Sequence, residues 1–334
     1  MFIRSKMTLL CASAALALGV AMSSGASKAA EMGSMHIAFG DIPGADMLGF
    51  MIAAKRAESR GVKLKISFLQ SEDLASQAIV SGQADIGVGT PYALIQKVKA
   101  PIRMFYQLSK LAFFPIVNTE KYKGWKDLDG QPMYTHARGS GTEAIMNLMA
   151  MKNNIKYSAM SYVPGSAVRA GAMLQGRIDA TIVDAERRTL LMREGKGKFA
   201  LLPLPKIDAS DEALYANTEF MEKNEEAINI LLEELVLTWR EINKNPGYVS
   251  KARAEYNLLP DMPASDAEGI DPYYAEAVET KIFDDNGGGE KAILGDFEFY
   301  DFAGTIKGDT SKLTVEEFWN LAPLNKALDK LGRM

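Results

Sequence analysis

Cysteine is almost absent from this chain of 334 residues: there is one, Cys11. It falls inside an N-terminal apolar run that reads as a removable leader. The mature chain then has no thiol, so a structural disulfide, a thiol nucleophile and a cysteine metal site are all excluded. Histidine is nearly as scarce. His36 and His136 are the only two, and both fall within predicted strands, which suits a buried or edge histidine better than a catalytic base. No pair has metal-ligand spacing, so neither a metal nor a cofactor is expected. Ser140 lies in Gly139-Ser140-Gly141, which lacks the Gly-x-Ser-x-Gly elbow and has no evident His–Asp partners. Enzyme chemistry is therefore not expected. Nor is there a basic run or aromatic–basic interleaving, which argues against nucleic acid as a partner. Beyond the leader, no stretch approaches 18 apolar residues, so a mature soluble protein is expected.

The first 30 residues read as a secretory signal peptide. Arg4 and Lys6 form a basic start, Met7 to Met22 is apolar, and Ser27-Lys28-Ala29 places small residues for cleavage near residue 29. Leu9-Leu10 precede Cys11, which does not fit a lipoprotein signal. The implied destination is the periplasm. Removing Arg4, Lys6 and Lys28 from 38 basic residues leaves 35 against 42 acids, a balance of −7.

About 300 residues remain, enough for two lobes of roughly 100–150 residues. Strand and helix patterns alternate along the first half. Met35–Phe39, 62–68, a strand reaching Thr90, and 102–108 read as strands. Between them 46–59 and 71–82 read as helices, Ser71 being an N-cap with Glu72 and Asp73 in the first turn. A similar series follows: strands 132–137, 160–163, 179–183 and 199–202, with helices from Thr142 and Ser166. Such alternation predicts largely parallel sheets flanked by helices, with ligands beyond the strands' carboxyl ends. Phe113–Val117 and Pro203–Ala216 read as crossings between lobes, implying a hinge. Asn224 to Ile242 is a strongly amphipathic helix, stopped by Asn245-Pro246-Gly247.

One phrase occurs twice, 94 residues apart: Ser81-Gly82-Gln83-Ala84-Asp85-Ile86 and Gln175-Gly176-Arg177-Ile178-Asp179-Ala180. Each reads as a helix ended by glycine, then an aspartate opening a small apolar strand. This suggests two facing lobes: 31–112 with 208–334, and 113–207. The strand exits are the candidate site. Arg138, Gly139, Ser140, Gly141 and Thr142 join a strand to a helix N-terminus and suit an anionic head. Thr90 and Tyr92 are their counterparts in the first lobe. Asp41 follows the first strand, and Asp184 follows the twin strand. Glu186 reads as surface. Phe113, Phe114 and Tyr162 are candidates for an apolar wall.

These residues, together with Trp125-Lys126-Asp127-Leu128-Asp129-Gly130, resemble the periplasmic substrate-binding proteins of ABC importers for nitrate, sulfonates and taurine. The resemblance implies an α/β, two-lobed, type II periplasmic-binding-protein fold with two crossover hinges. It implies a monomeric receptor that closes on a small organic anion or zwitterion, such as a sulfonate or carboxylate, and docks on a membrane permease. The acidic candidates leave an amine-bearing, aromatic or pyrimidine-like solute open. The Gly-Ser-Gly-Thr-Glu phrase is also similar to TAXI-type receptors of TRAP transporters, although Gly40–Gly44 lacks their glycine-rich run. A secreted enzyme or sensor on the same fold is the alternative from another class.

Overall fold

In a computed structural model of the chain, the described residues are 33–69, 71–99, 101–309 and 312–334. The leader and its cleavage point lie outside them. The first sheet takes its strands from two distant stretches of chain. These are β1 (Ser34–Phe39), β2 (Lys63–Phe68), β3 (Ile86–Gly89), β4 (Ile102–Lys110) and, much later, a strand at Ser210–Asn217. Helices α1 (Leu48–Ser59), α2 (Glu72–Val80) and α3 (Tyr92–Val98) connect them. The middle of the chain supplies β5 (Phe114–Asn118), β6 (Pro132–Thr135), β7 (Ala159–Tyr162), β8 (Ala180–Val183) and β9 (Phe199–Leu201). With them come α4 (Gly141–Asn153), α5 (Ser166–Leu174) and α6 (Ala185–Glu194).

Numbered in chain order, Ser210–Asn217 is β10, and the first sheet runs β2-β1-β3-β10-β4. β1 is parallel to β2 and β3, while β10 is antiparallel to both β3 and β4. The sequence reading treated 203–216 as a return crossing. Only its first part is one; the rest is a central strand of the first sheet. In the middle stretch, β5 is also more than a crossing. It is the centre of a three-stranded sheet, β8-β5-β9, antiparallel to both neighbours, beside the parallel pair β6-β7.

The repeated phrase builds the same joint twice. The Gly82 N–H donates to Ile79 O and the Gln83 N–H to Ala78 O; Gly176 bonds to Met173 O and Arg177 to Ala172 O in the same way. These are paired Schellman closures, which require a left-handed residue. Gly82 has φ +72° and Gly176 φ +67°. No heavy atom lies within 4 Å of where a Cβ would sit at either, so backbone conformation alone demands glycine. The aspartates then tie each joint to the neighbouring strand. The His36 N–H donates to Asp85 Oδ2 at 2.7 Å, and Asn118 Nδ2 donates to Asp179 Oδ1 at 2.8 Å.

The long amphipathic helix covers the first sheet. It spans Glu225–Lys244, and Ile228, Leu231, Leu232, Leu235, Trp239 and Ile242 are all buried in the core that includes β1 and β3. Trp239 Nε1 donates to Leu108 O at 2.8 Å, fixing the helix to β4. Asn224 stands just before the helix, but its side chain donates backward to Phe220 O and does not cap it. Gly165, not Ser166, precedes α5; the Ser166 hydroxyl serves Arg169 and Asp184 instead.

Replacing Gly82 or Gly176 with alanine forces a left-handed alanine, at a cost of about 1–2 kcal/mol. Each substitution should lower stability by about that amount in urea unfolding, with Asn at either position losing less.

Candidate functional site

The loops leaving the strands of both sheet groups meet around a cavity of ≈ 80 Å³. Asp41 comes from the loop after β1, and Glu72 opens α2 after β2. From the middle stretch come His136 after β6, Ser140 to Thr142 at the start of α4, and Asp184 after β8. The crossing between β4 and β5 adds Lys110 and Phe113, and the entry into β10 adds Asp211 and Glu212. Asp46 and Tyr273 complete the first-sheet side.

Six carboxyl groups face this cavity: Asp41, Asp46, Glu72, Asp184, Asp211 and Glu212. Two adjacent residues of a regular strand point to opposite faces. Asp211 and Glu212 escape that rule because β10 and β4 slip register between Ser210 and Glu212, and again between Glu212 and Ala213. Such a bulge re-aims a side chain. The basic groups of the wall are already engaged. Arg169 is buried, and its Nε, Nη1 and Nη2 donate to Ile182 O, Val163 O and Ser166 Oγ. Lys110 pairs with Asp208 at 2.8 Å.

This imbalance shifts the acids. The surrounding protein strips water from Asp46, and the charges of Asp184 and Asp41 add to that, raising its carboxyl to about 8. Desolvation and then Asp41 raise Glu72 to about 8 as well. Burial, then Glu72 for Asp211 and Asp211 for Glu212, push those two well above the usual carboxylate range. Cavity water reaches these groups, Asp46 most openly, and so moderates the shifts. Desolvation holds His136 below its ordinary value. Its Nδ1 accepts the Gly165 N–H at 3.2 Å and Nε2 lies 3.2 Å from Gly40 O, partners that fit the neutral Nε2–H tautomer.

The loop at the head of α4 is closed on itself. Ser140 Oγ donates to Ala137 O at 2.8 Å, and Thr142 Oγ1 accepts the His136 N–H at 3.1 Å. The Gly139 N–H donates to Glu143 Oε2 at 2.6 Å, which ties the loop to the first turn of α4.

Of the residues anticipated from sequence, Asp41, Ser140, Gly141, Thr142, Asp184 and Phe113 line the cavity. Thr90 and Tyr92 do not. Both are buried on the far side of α3, where Tyr92 Oη donates to Asp296 Oδ2 at 2.6 Å and Thr90 Oγ1 meets Tyr300 Oη at 2.9 Å. Gly139 is also outside the lining, and Arg138 is exposed, its guanidinium 5.0 Å above the Tyr162 ring. Tyr162 donates to Glu143 Oε1 at 2.5 Å, and Phe114 lies under Arg188 at 4.3 Å. Glu186 is half-buried rather than at the open surface, beside Arg187 at 3.2 Å. Sequence reasoning missed Asp46, Glu72, Asp211, Glu212, His136 and Arg169 as wall residues. In the sequence Glu72 is legible only as an acid in a first helical turn, and Asp46 only as the start of a predicted helix.

The cavity's rim is pinned by two forked ion pairs between α6 and the helices at Ala264–Ala267 and Ile270–Glu279. Arg187 grips Asp266 at 3.1 and 3.3 Å, and Arg188 grips Glu276 at 2.7 and 2.6 Å.

A carboxyl raised in the folded state stabilises the protein below its unfolded pKa and loses that contribution as pH rises through the folded one. For Asp46 and Glu72 the window runs from 3.8 and 4.5 up to about 8. The ligand-free protein should therefore have a higher urea midpoint at pH 5.5 than at pH 8.5. Asp211→Asn should narrow that difference and raise the midpoint at pH 8.5.

The comparisons with known proteins follow the same architecture. The family model described as "NMT1/THI5 like" matches residues 46–247. No curated protein matches the sequence. A structure from Bordetella bronchiseptica is similar at 20% identity with a TM-score of 0.73, over 91% of this chain and 99% of that one. The periplasmic nitrate-binding protein NrtA from Synechocystis matches at 12% identity and 0.68, covering 90% of each chain. The ligand-binding component of an ABC-type import system from Staphylococcus aureus matches at 13% and 0.67, over 88% of this chain and 98% of that one. These similarities establish the periplasmic-binding-protein fold. The matched family model spans more than half of the sequence, and the chain belongs to the NMT1/THI5-like family.

Proposed function

We propose that this chain is the solute-binding receptor of an ABC-type importer. It works in the periplasm after loss of its leader, as a monomer, and hands one small organic solute to a membrane permease without chemical turnover. Its lobes are 31–112 with 208–334, and 113–207, and the cleft between them closes on the solute. The observation that carries this reading is the cavity wall. It is built almost wholly from strand exits and helix starts of two separate sheet groups, joined by crossings at Leu111–Phe113 and Leu202–Ala209. That is where a hinged α/β receptor holds its ligand. The similar structures include a nitrate-binding protein and an ABC import component, which supports the transport role.

Closure needs contacts made only when the lobes meet, and the Arg187–Asp266 and Arg188–Glu276 forks bridge that gap. Ligand binding at a hundred times Kd adds about 2.7 kcal/mol of stability. A screen of sulfonates, carboxylates, amines and pyrimidines should therefore find a solute that raises Tm by several degrees and lowers the radius of gyration in X-ray scattering. No shift and no compaction with any of them would defeat the receptor reading. With such a solute in hand, Arg188→Ala should weaken affinity about fivefold, equivalent to about 1 kcal/mol, through a faster off-rate.

A further inference from the structure

We infer that the head group this receptor captures is a small organic ammonium, seated where Asp46, Asp211 and Glu212 stand between the main cavity and a second, aromatic-floored one. The inference rests on the receptor reading and specifies its ligand. The second cavity, of ≈ 40 Å³, lies directly beneath the first and shares Asp46, Ser109, Asp211, Glu212 and Tyr273 with it. Its floor is apolar and ring-rich: Phe39, Phe50, Trp239 and Phe283. The rings pack in pairs, Phe39 on Phe50 and Trp239 on Phe283, each at 4.9 Å. The space exceeds what one water needs, so an ammonium or a methyl group on nitrogen fits it.

Three observations choose a cation over an anion. No described residue donates a side-chain or backbone hydrogen bond to the Asp211 or Glu212 carboxyl, and neither is in an ion pair. Both are partly exposed and line the two cavities, so they are directed at what enters there. Secondly, the cationic side chains an anion would pair with are occupied. Arg169 donates from all three guanidinium nitrogens to its own surroundings, and Lys110 holds Asp208. Thirdly, an ammonium gains twice here, from the carboxylates and from the faces of nearby rings. A sulfonate in the same place would face like charge. Among the described residues no group of three or more carboxyl or imidazole side chains could hold a metal ion, which favours an organic cation over a metal.

The wall opposite supplies the second half of the site. Asp41 and Asp184 lie there with the Thr142 hydroxyl, so a second amine or a ring amino group finds acceptors across the cavity. Binding is tied to pH through the groups that face Asp211 and Glu212: Asp41, Asp46 and Glu72 oppose their ionisation, as Asp184 does for Asp211, Lys110 and Arg169 are the cations of the same wall, and His136 and Tyr273 stay neutral. Burial and crowding raise both carboxyls in the free protein, and an ammonium opposes that shift. Amine affinity should then rise from pH 6 to pH 8, whereas affinity for an anion should fall.

Isothermal titration with benzylamine, 1,4-diaminobutane, methanesulfonate and nitrate separates the classes. The expected result is binding of at least one amine, tighter at pH 8 than at pH 6. Glu212→Gln and Asp211→Asn should each weaken it more than tenfold while the free variants keep or raise their Tm. Should one variant fail to fold, the other and the pH series carry the same test. Binding of methanesulfonate or nitrate without the amines would overturn the inference and leave the receptor reading in place. Amine affinity unchanged in both variants would overturn it as well, as would failure of both amines to bind.

Discussion

The repulsion among carboxyl groups held together in one small cavity is the constraint on which the rest of the site depends. At an effective dielectric constant of about 20, two charges 4 Å apart interact by about 4 kcal/mol. The folded chain accommodates six such groups around ≈ 80 Å³ by raising the pKa of several and by placing some at helix starts. Asp184 caps α6, accepting the Arg187 N–H at 2.8 Å, and Glu72 opens α2. There the positive end of the helix offsets part of their charge. Asp211 and Glu212 have no such support. Their strain is relieved only by a proton or by a cation from outside, which makes the empty cavity responsive to what enters it.

The scaffold holds one wall of this charged space in place. The start of β10, beside Asp211, is anchored from behind by a buried polar cluster. Asp296 accepts the Ser210 N–H at 2.5 Å and the Ser210 hydroxyl at 2.8 Å, and Tyr300 donates to Ser210 O at 2.8 Å. Burial raises Asp296 and these donors lower it, leaving it at about 6, so it acts as an acceptor near neutrality. Thr90 and Tyr92 belong to this cluster. Their polar atoms help to hold the start of β10 and do not line the cavity.

Much of the architecture was legible in the sequence because it depends on local rules. The two glycine closures, the aspartates that follow them and the apolar stripe of the helix at Glu225–Lys244 are all set by residues close in the chain. Asp41, Ser140, Thr142 and Asp184 were found because strand exits can be placed from periodicity alone. The rest depends on long-range pairing. Nothing local distinguishes Asp211-Glu212 from any acidic loop; a register slip against β4, about a hundred residues away, turns both toward the cavity. Thr90 and Tyr92 sit at a strand exit as expected, but the helix at Glu290–Phe302 covers that exit. The Ser140–Thr142 loop has the composition of an anion site. Only its contacts reveal that Glu143 holds the Gly139 N–H.

The central claim is that Asp211 and Glu212 are crowded acids awaiting a cation. It is tested most directly by following their side-chain carboxyl carbons by NMR through a pH titration, with and without a bound amine. The account predicts titration well above the ordinary carboxylate range in the free protein, and a fall in both values when the amine binds. Titration of both groups near 4 in the free protein, unmoved by the amine, would contradict it.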